Sequence, residues 1–324
     1  MVRVGVIGIG YWGTNLSRNL YELGALHAVC DIDENKLNKV KNNYPNVKTF
    51  KNFEDMLSEI DACVIATSGG SHYEIAKKAL EADKDVYVEK PLTRSAKTSK
   101  DLIELAKKKN RILMVGHILL YHPAVRELKK ILEDGVLGDV RYIYAQRLNL
   151  GRIREDEDAL WSLGPHDISV ILYLLDEKPT SVLATGESYL IQNFYDVAFI
   201  TLYFPNKIIA NIHVSWLDPH KVRRLTIVGT KKMVVFDDMA QEKIIIYDKG
   251  VEPAGDFYTL RMGDIFIPNI KPKEPLKEEC KHFLECVESR KEPLTDGENG
   301  FEVVKILESA QNSISSHKLV KINY

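Results

Sequence analysis

The first 117 residues alternate short, solidly apolar runs with stretches whose apolar positions recur every three or four residues. The runs are Val2 to Ile7, Leu26 to Cys30, Asp61 to Ala66, Val86 to Val88 and Ile112 to Val115. The periodic stretches carry Leu16/Leu20/Leu23, Ile75/Ala79/Leu80 and Leu102/Leu105/Ala106. Short apolar runs separated by amphipathic helices are strands, and repeated strand–helix alternation builds a parallel sheet. Strands in such a sheet are covered on both faces, which is why these runs are apolar throughout instead of at every second position. The rhythm stops near His117.

From Pro123 the spacing of Val125, Leu128, Ile131 and Leu132 predicts a helix, ended by Gly135 and the Gly138-Asp139 turn and followed by a strand from Val140 to Leu148. After a polar loop and another helix, strand-like runs follow at Ser181–Tyr189, Tyr195–Phe204, Ile208–Trp216, Arg223–Val228, Met233–Phe236 and Lys243–Tyr247. Pro205-Asn206 and Gly229-Thr230 supply turns too short for crossover helices, so this second sheet is expected to be mainly antiparallel. Val251 to Pro275, richer in Pro and Gly, reads as a surface loop. Helices near Leu276–Ser289 and Gly297–Ser316 and a strand at Leu319–Ile322 close the chain. Phe199, Tyr203, Ile212, Val214 and Trp216 put much apolar surface on this sheet, which predicts burial against another subunit in a homodimer or homotetramer.

Composition narrows the partners. Lys plus Arg total 44 against 46 Asp plus Glu in 324 residues, a net charge of -2 that argues against a general grip on nucleic acid. No apolar run approaches the roughly 20 residues that span a bilayer, and the chain opens on a strand instead of a signal peptide, so no membrane association and a cytoplasmic location are expected. Cys30, Cys63, Cys280 and Cys286 form no C-x-x-C pair, and the nine histidines are scattered. Buried thiols and no metal site are therefore expected.

Gly8-Ile9-Gly10-Tyr11-Trp12-Gly13 follows the first strand and opens the first helix, the context in which G-x-G-x-x-G marks a dinucleotide site. Gly8 permits the turn, Gly10 the approach of a pyrophosphate, and Gly13 close packing of helix on strand. Asp31, ending the second strand, stands where an acid meets the adenosine ribose, and Ile32 after it offers nothing to a 2′-phosphate. NAD is thus favoured over NADP. The expected fold is α/β: a Rossmann doubly wound sheet in residues 1–118, then an α+β substrate and assembly domain in residues 119–324 with a large open, mainly antiparallel sheet.

Ligands lie beyond the carboxyl ends of such strands. Thr67, Ser68 and His72 follow the fourth strand and could border the cofactor, or the segment could be a turn whose Ser71 caps the next helix. Glu89-Lys90-Pro91 follows the fifth; Pro91 restricts Lys90, and a lysine enclosed beside a cationic nicotinamide is a candidate acid/base.

The glycine fingerprint, Asp31, Glu89-Lys90-Pro91, Gly135-x-x-Gly138 and His166, in this order, resemble the Gfo/Idh/MocA family of oxidoreductases along essentially the whole chain. The resemblance implies NAD(P)-dependent hydride transfer on sugars, inositols or related alcohols, with Lys90 and His166 as catalytic residues and Glu89 beside the cofactor. The residues themselves add that Gly164-Pro165 would start a helix, placing His166 in its first turn where the dipole keeps an imidazole neutral. Many family members carry an aspartate four residues before this histidine; here it is Ser162, so either Lys90 and His166 handle the proton between them or Asp167 contributes.

The segment from Arg147 through Arg152 and Arg154 to Trp161, His166 and Asp167 resembles the family branch that oxidises the 3-hydroxyl of nucleotide-linked N-acetylated sugars, such as UDP-N-acetylglucosamine or its uronate. Three arginines suit a diphosphate; equally, Arg152 and Arg154 could pair with Glu155, Asp156, Glu157 and Asp158. Tyr121, His122 and Trp161 either shape the pocket or belong to the core. Two other readings stay open: a dehydrogenase of a free sugar or inositol, and a non-catalytic NAD-binding sensor.

Overall fold

The computed structural model describes residues 2–324 apart from Arg152 and Arg154. The chain divides into two units, one running to Tyr121 and taking in Glu274–Val304, the other formed by His122–Lys273 and Lys305–Tyr324.

In the first unit, strands β1 (Val4–Ile7), β2 (Leu26–Cys30), β3 (Lys48–Phe50), β4 (Ala62–Ile65), β5 (Asp85–Glu89) and β6 (Leu113–Gly116) alternate with helices α1 (Tyr11–Glu22), α2 (Glu34–Asn43), α3 (Phe53–Leu57), α4 (His72–Glu81) and α5 (Ala96–Lys109). All strand pairs are parallel, in the order β3-β2-β1-β4-β5-β6. This is the doubly wound arrangement, with its switch point beside β1. Every residue of β1 and β4 is buried, as strands covered on both faces must be. All four cysteines are buried and free.

The second unit opens with α6 (Pro123–Glu133), capped by the His122 side chain, then β7 (Val140–Leu150) and α7 (Ala159–Leu175). Strands β8 (Ser181–Glu187), β9 (Val197–Tyr203), β10 (Ile209–Ser215), β11 (Leu217–Gly229), β12 (Met233–Asp237), β13 (Ile244–Ala254) and β14 (Phe257–Phe266) follow. The chain returns to the first unit with α8 (Pro275–Ser289). Helix α9 (Gly297–Ser316) gives its first part to that unit and the rest to the second, where β15 (Val320–Lys321) ends the sheet. The sheet order is β14-β13-β12-β11-β7-β10-β9-β8-β15, antiparallel except for β7 with β10.

Three expectations are corrected here. Residues 251–275 are not a loop throughout: they contain most of the β13–β14 hairpin, whose turn is Gly255 at φ +65°. Phe257, Tyr258, Leu260 and Met262 are exposed on it, so the strand alternation that burial would impose is missing from the sequence. The domain cut differs as well, since residues 274–304 cluster with the first unit and not with the rest of 119–324. The apolar strand residues, finally, belong to two faces. Ile212, Val214 and Trp216 are buried, whereas Phe199 is exposed and stacks on His213 with ring centroids 4.2 Å apart. The register pairs Ile212 with Ile200 and His213 with Phe199, so successive residues alternate between core and open face. Among the described residues no helix is long and apolar enough to cross a membrane.

Candidate functional site

Gly8, Ile9 and Gly10 are the whole connection between β1 and α1. Gly8 has φ +90°, and a methyl group there would lie 2.8 Å from Thr67 Cγ2. A methyl on Gly13 would lie 1.8 Å from the Gly8 carbonyl oxygen, so only glycine lets the first turn of α1 seat against the strand end. Gly10 has another role, because nothing lies within 4 Å of a methyl placed there. This space faces a helix start with no side-chain cap and no acid in the first turn, an arrangement that fits a pyrophosphate. Tyr11 and Trp12 flank it, 80% and 38% exposed.

Asp31 is buried at the end of β2 and turned toward the glycine turn, its Oδ2 accepting from Ile9 N at 2.6 Å and its Oδ1 from Asp33 N at 2.9 Å. Lys36 Nζ reaches Oδ2 at 3.3 Å. A carboxylate offers about four acceptor positions, so the three donors leave room on Oδ1 for a ribose hydroxyl. Ile32 is 91% exposed beside it, an apolar surface suited to one face of an adenine. Glycine turn, open space and acid thus fit NAD. Bound there, the nicotinamide would supply the hydride acceptor.

The segment after β4 folds on itself. Ser71 Oγ donates to Thr67 Oγ1 at 2.8 Å and to the Ser68 carbonyl at 2.9 Å, and makes no side-chain cap on α4. Ser68 is exposed. His72 is 1% exposed, with Nδ1 2.8 Å from the Pro91 carbonyl and Nε2 3.3 Å from the Thr67 carbonyl. It therefore ties the loops after β4 and β5 together. The tie fixes the segment that carries Lys90, joined to Pro91 by a cis peptide bond.

Behind Lys90 lies a group of buried titratable side chains. Tyr87 donates to Glu89 Oε1 at 3.3 Å, and burial pushes the Glu89 carboxyl up to about 7 while the Lys90 charge pulls it back. Glu279, on α8, is fully buried, and neither of its oxygens has a hydrogen-bond partner. Burial, then the Glu89 charge, raises its carboxyl far above the usual range. His117, just after β6, donates from Nδ1 to Asn299 Oδ1 at 2.7 Å, and burial drives it down to about 4. Sequence reasoning missed Glu279, although Leu276, Cys280 and Phe283 put it inside the apolar stripe of its helix. An acid in such a stripe was the available signal.

In the second unit the expected helix start at Pro165 is corrected. Helix α7 begins at Ala159, with Asp158 as its cap through a bond from Trp161 N at 2.9 Å, and it runs through Pro165. His166 is the eighth residue of the helix, so the first-turn dipole argument for it does not hold. Having no N–H, Pro165 gives nothing to the Trp161 carbonyl one turn back. Trp161 itself is buried, its Nε1 donating to Gln311 at 3.0 Å.

Arg147 and Asp167 meet each other. Nε and Nη2 donate to the two carboxylate oxygens at 2.8 and 2.9 Å, and both residues are more than nine-tenths buried. Arg223, which sequence reasoning also missed, stands beside them and donates to the Leu148 carbonyl and to Asn149 Oδ1 at 2.8 and 2.7 Å. Burial and the neighbouring Arg147 charge lower its guanidinium to about 10. Two guanidinium groups thus stand near the end of β7, with Asp167 and Asp238 as the carboxylates that act on Arg223. Arg152 and Arg154 lie outside the described residues.

Comparison with known proteins gives a consistent picture. Residues 2–117 match the family model described as "Oxidoreductase family, NAD-binding Rossmann fold", and residues 125–235 match "GFO/IDH/MocA C-terminal domain". The chain is 25% identical over 304 residues to a UDP-N-acetylglucosamine 3-dehydrogenase of Acidithiobacillus ferrooxidans, covering 94% of each chain. A solved structure of that enzyme superposes with a TM-score of 0.86 at 24% identity, covering 97% of this chain and 98% of the other. A myo-inositol 2-dehydrogenase of Thermotoga maritima is 24% identical over 339 residues, covering 99% of this chain and 98% of that one. A gentamicin-biosynthesis protein solved in complex with NAD shares the fold, with a TM-score of 0.85 at 20% identity over 100% and 97% of the two chains.

Proposed function

Because this chain belongs to the Gfo/Idh/MocA oxidoreductases, a family of NAD(P)-dependent sugar and polyol dehydrogenases, we propose that it oxidises the 3-hydroxyl of a UDP-N-acetylated hexose to a ketone. UDP-N-acetylglucosamine or its uronate is the substrate proposed, and NAD the cofactor. The observation that carries the choice of an anionic substrate is the half-buried guanidinium of Arg223 set beside the Arg147–Asp167 pair. A partly desolvated cation attracts a phosphate more strongly than a neutral polyol. Asp31 followed by exposed Ile32 supports NAD, since a 2′-phosphate would meet a carboxylate there and no arginine.

Lys90 is assigned the hydroxyl proton and His166 a hydrogen bond to the same oxygen, which loses its proton as the carbon loses hydride. Thr67, Ser68 and Glu89 border the cofactor in this reading. Asp167 acts through Arg147, holding its guanidinium fork in place. We also propose that the open face of the second sheet, with Tyr142, Tyr144 and Phe199 exposed, is where copies of the chain associate.

The test is reduction of NAD, followed by absorbance, with UDP-N-acetylglucosamine, free N-acetylglucosamine and myo-inositol, in the wild type and in Arg223→Met and Arg152→Ala/Arg154→Ala variants. The expected result is turnover of the nucleotide sugar, with KM raised on the order of tenfold or more in the variants, the loss of about one charged hydrogen bond. Faster turnover of myo-inositol, unaffected by these substitutions, would overturn the substrate in favour of a free polyol. No reduction with any of the three would favour a sensor.

A further inference from the structure

Glu279 and Glu89 are two carboxyl groups in one buried place with too few donors between them. Tyr87 gives its proton to Glu89, and Glu279 receives none. The packing is tight: a methyl on Gly116 of β6 would lie 3.0 Å from both Glu89 Cδ and the Tyr87 hydroxyl. Charged, the pair would put two anions together away from water, the situation in which one carboxyl of a pair keeps its proton. A protonated Glu279 gains an O–H, and the acceptor beside it is the hydroxyl oxygen of Tyr87, whose ring packs on Phe283 of the same helix and whose own O–H is directed at Glu89.

The groups that face this pair are few. On β5 they are Tyr87 and, directly after the strand, Lys90, the cation that acts on Glu89. Past β6, His117 is neutral and faces Lys90, while the Tyr121 hydroxyl is shared with Thr295. On α8, Cys280 lies near Glu279, Glu89 and Glu274 and near Arg18 of α1, which is itself bound to Glu274 and Glu22. Among these, Tyr87 and Glu89 are the ones that act on Glu279.

We infer that Glu279 is a positioning residue for proton transfer: its carboxyl stays protonated and hydrogen-bonds to the Tyr87 hydroxyl, which in turn donates a hydrogen bond to Glu89, so that Glu89 stands as an anion next to Lys90. The functional part of this inference rests on the assignment of Lys90 as proton acceptor. A carboxylate held ionised orients the Lys90 amine and stabilises the ammonium that forms when it takes the hydroxyl proton. Without the donor, Glu89 would protonate and this support would be lost. Coupled acids of this kind titrate as a pair.

Infrared difference spectroscopy of the full-length protein across pH tests the pair directly. The wild type is expected to show a carboxylic-acid carbonyl band that persists at alkaline pH and vanishes in Glu279→Gln and Glu279→Leu. A second band, absent in Glu89→Gln, should titrate near 7. In Glu279→Leu that midpoint should rise by about one pH unit, a tenfold gain in proton affinity, and the acid limb of kcat/KM should move with it. Glu279→Gln keeps an N–H donor and should leave the midpoint within a few tenths of the wild type. Absence of the alkaline band in the wild type would overturn the inference even if Glu279→Leu fails to fold. So would a Glu279→Leu midpoint that stays in place, or one matched by Glu279→Gln. Lys90→Ala separates the two readings: retained turnover there sinks the role of Lys90 while the infrared titration still reports the pair.

Discussion

Removing Asp167 should harm the second unit more than removing Arg147, although the two form one ion pair. Their side chains are 5% and 9% exposed and joined by two hydrogen bonds of 2.9 and 2.8 Å. Breaking a buried pair by deleting one partner costs about 3–5 kcal/mol, because the survivor is left charged away from water. The surroundings of the survivors differ. In Asp167→Leu, Arg147 is left facing Arg223, a second cation whose guanidinium is already lowered to about 10. In Arg147→Met, Asp167 still has Arg223 to answer its charge. The expected losses are therefore near the top of that range for Asp167→Leu and on the order of 1–2 kcal/mol smaller for Arg147→Met. At about 2–4 °C per kcal/mol for a domain of 150–250 residues, Asp167→Leu should melt roughly 10–20 °C early. The double variant Arg147→Met/Asp167→Leu should recover most of the loss, since an apolar pair of similar volume replaces the charges. Thermal and urea unfolding of the four proteins, read as a double-mutant cycle, would give these values. Equal losses for the two single variants, or a larger one for Arg147→Met, would refute the argument from Arg223.

Two further expectations concern the first unit. Gly13→Ala should cost both stability and NAD affinity, because its methyl would overlap the Gly8 carbonyl, whereas Gly10→Ala should leave the melting temperature within about a degree and weaken NAD severalfold or more, as calorimetry with NAD would show. His117, held at about 4 against its usual 6.5, stays neutral when folded; its contribution is complete above pH 6.5 and is lost as pH falls toward 4, on the order of 3 kcal/mol in all. His117→Gln should flatten that part of the stability–pH curve, and an unchanged slope would mean that the imidazole charges in the folded state.

The glycine turn and Asp31 were legible because each is demanded by local geometry: a positive φ, a carbonyl against a helix, an acid one strand away. Strand–helix alternation announced the first sheet for the same reason. Where local signals compete, the reading slipped. Pro165 reads as a helix start because proline suits a first turn, yet Asp158, seven residues earlier, supplies a better cap and packing carries the helix through. Val251 to Phe266 carries exposed aromatic and aliphatic residues on paired strands, so neither periodicity nor burial betrays the hairpin. Arg147, Asp167 and Arg223 come together through a strand register and a helix, relations of three dimensions with no short-range mark in the chain.

The split of the first unit along the chain sets an order on how the protein can be made. Val115 N bonds to the Thr295 carbonyl, Met114 pairs with Asp296, and Gly300 fits against Val115 and Leu92. A nascent chain that has emerged only to residue 273 has all six parallel strands but lacks α8 and everything that closes the outer side of β6. Its dinucleotide-binding half precedes β7 to β14 in synthesis yet is completed only when residues 274–304 follow them, by which time those later strands can already pair. For that interval the young chain carries an open strand edge, and the time it stays open is set by the synthesis of some 150 intervening residues at about 5–20 per second.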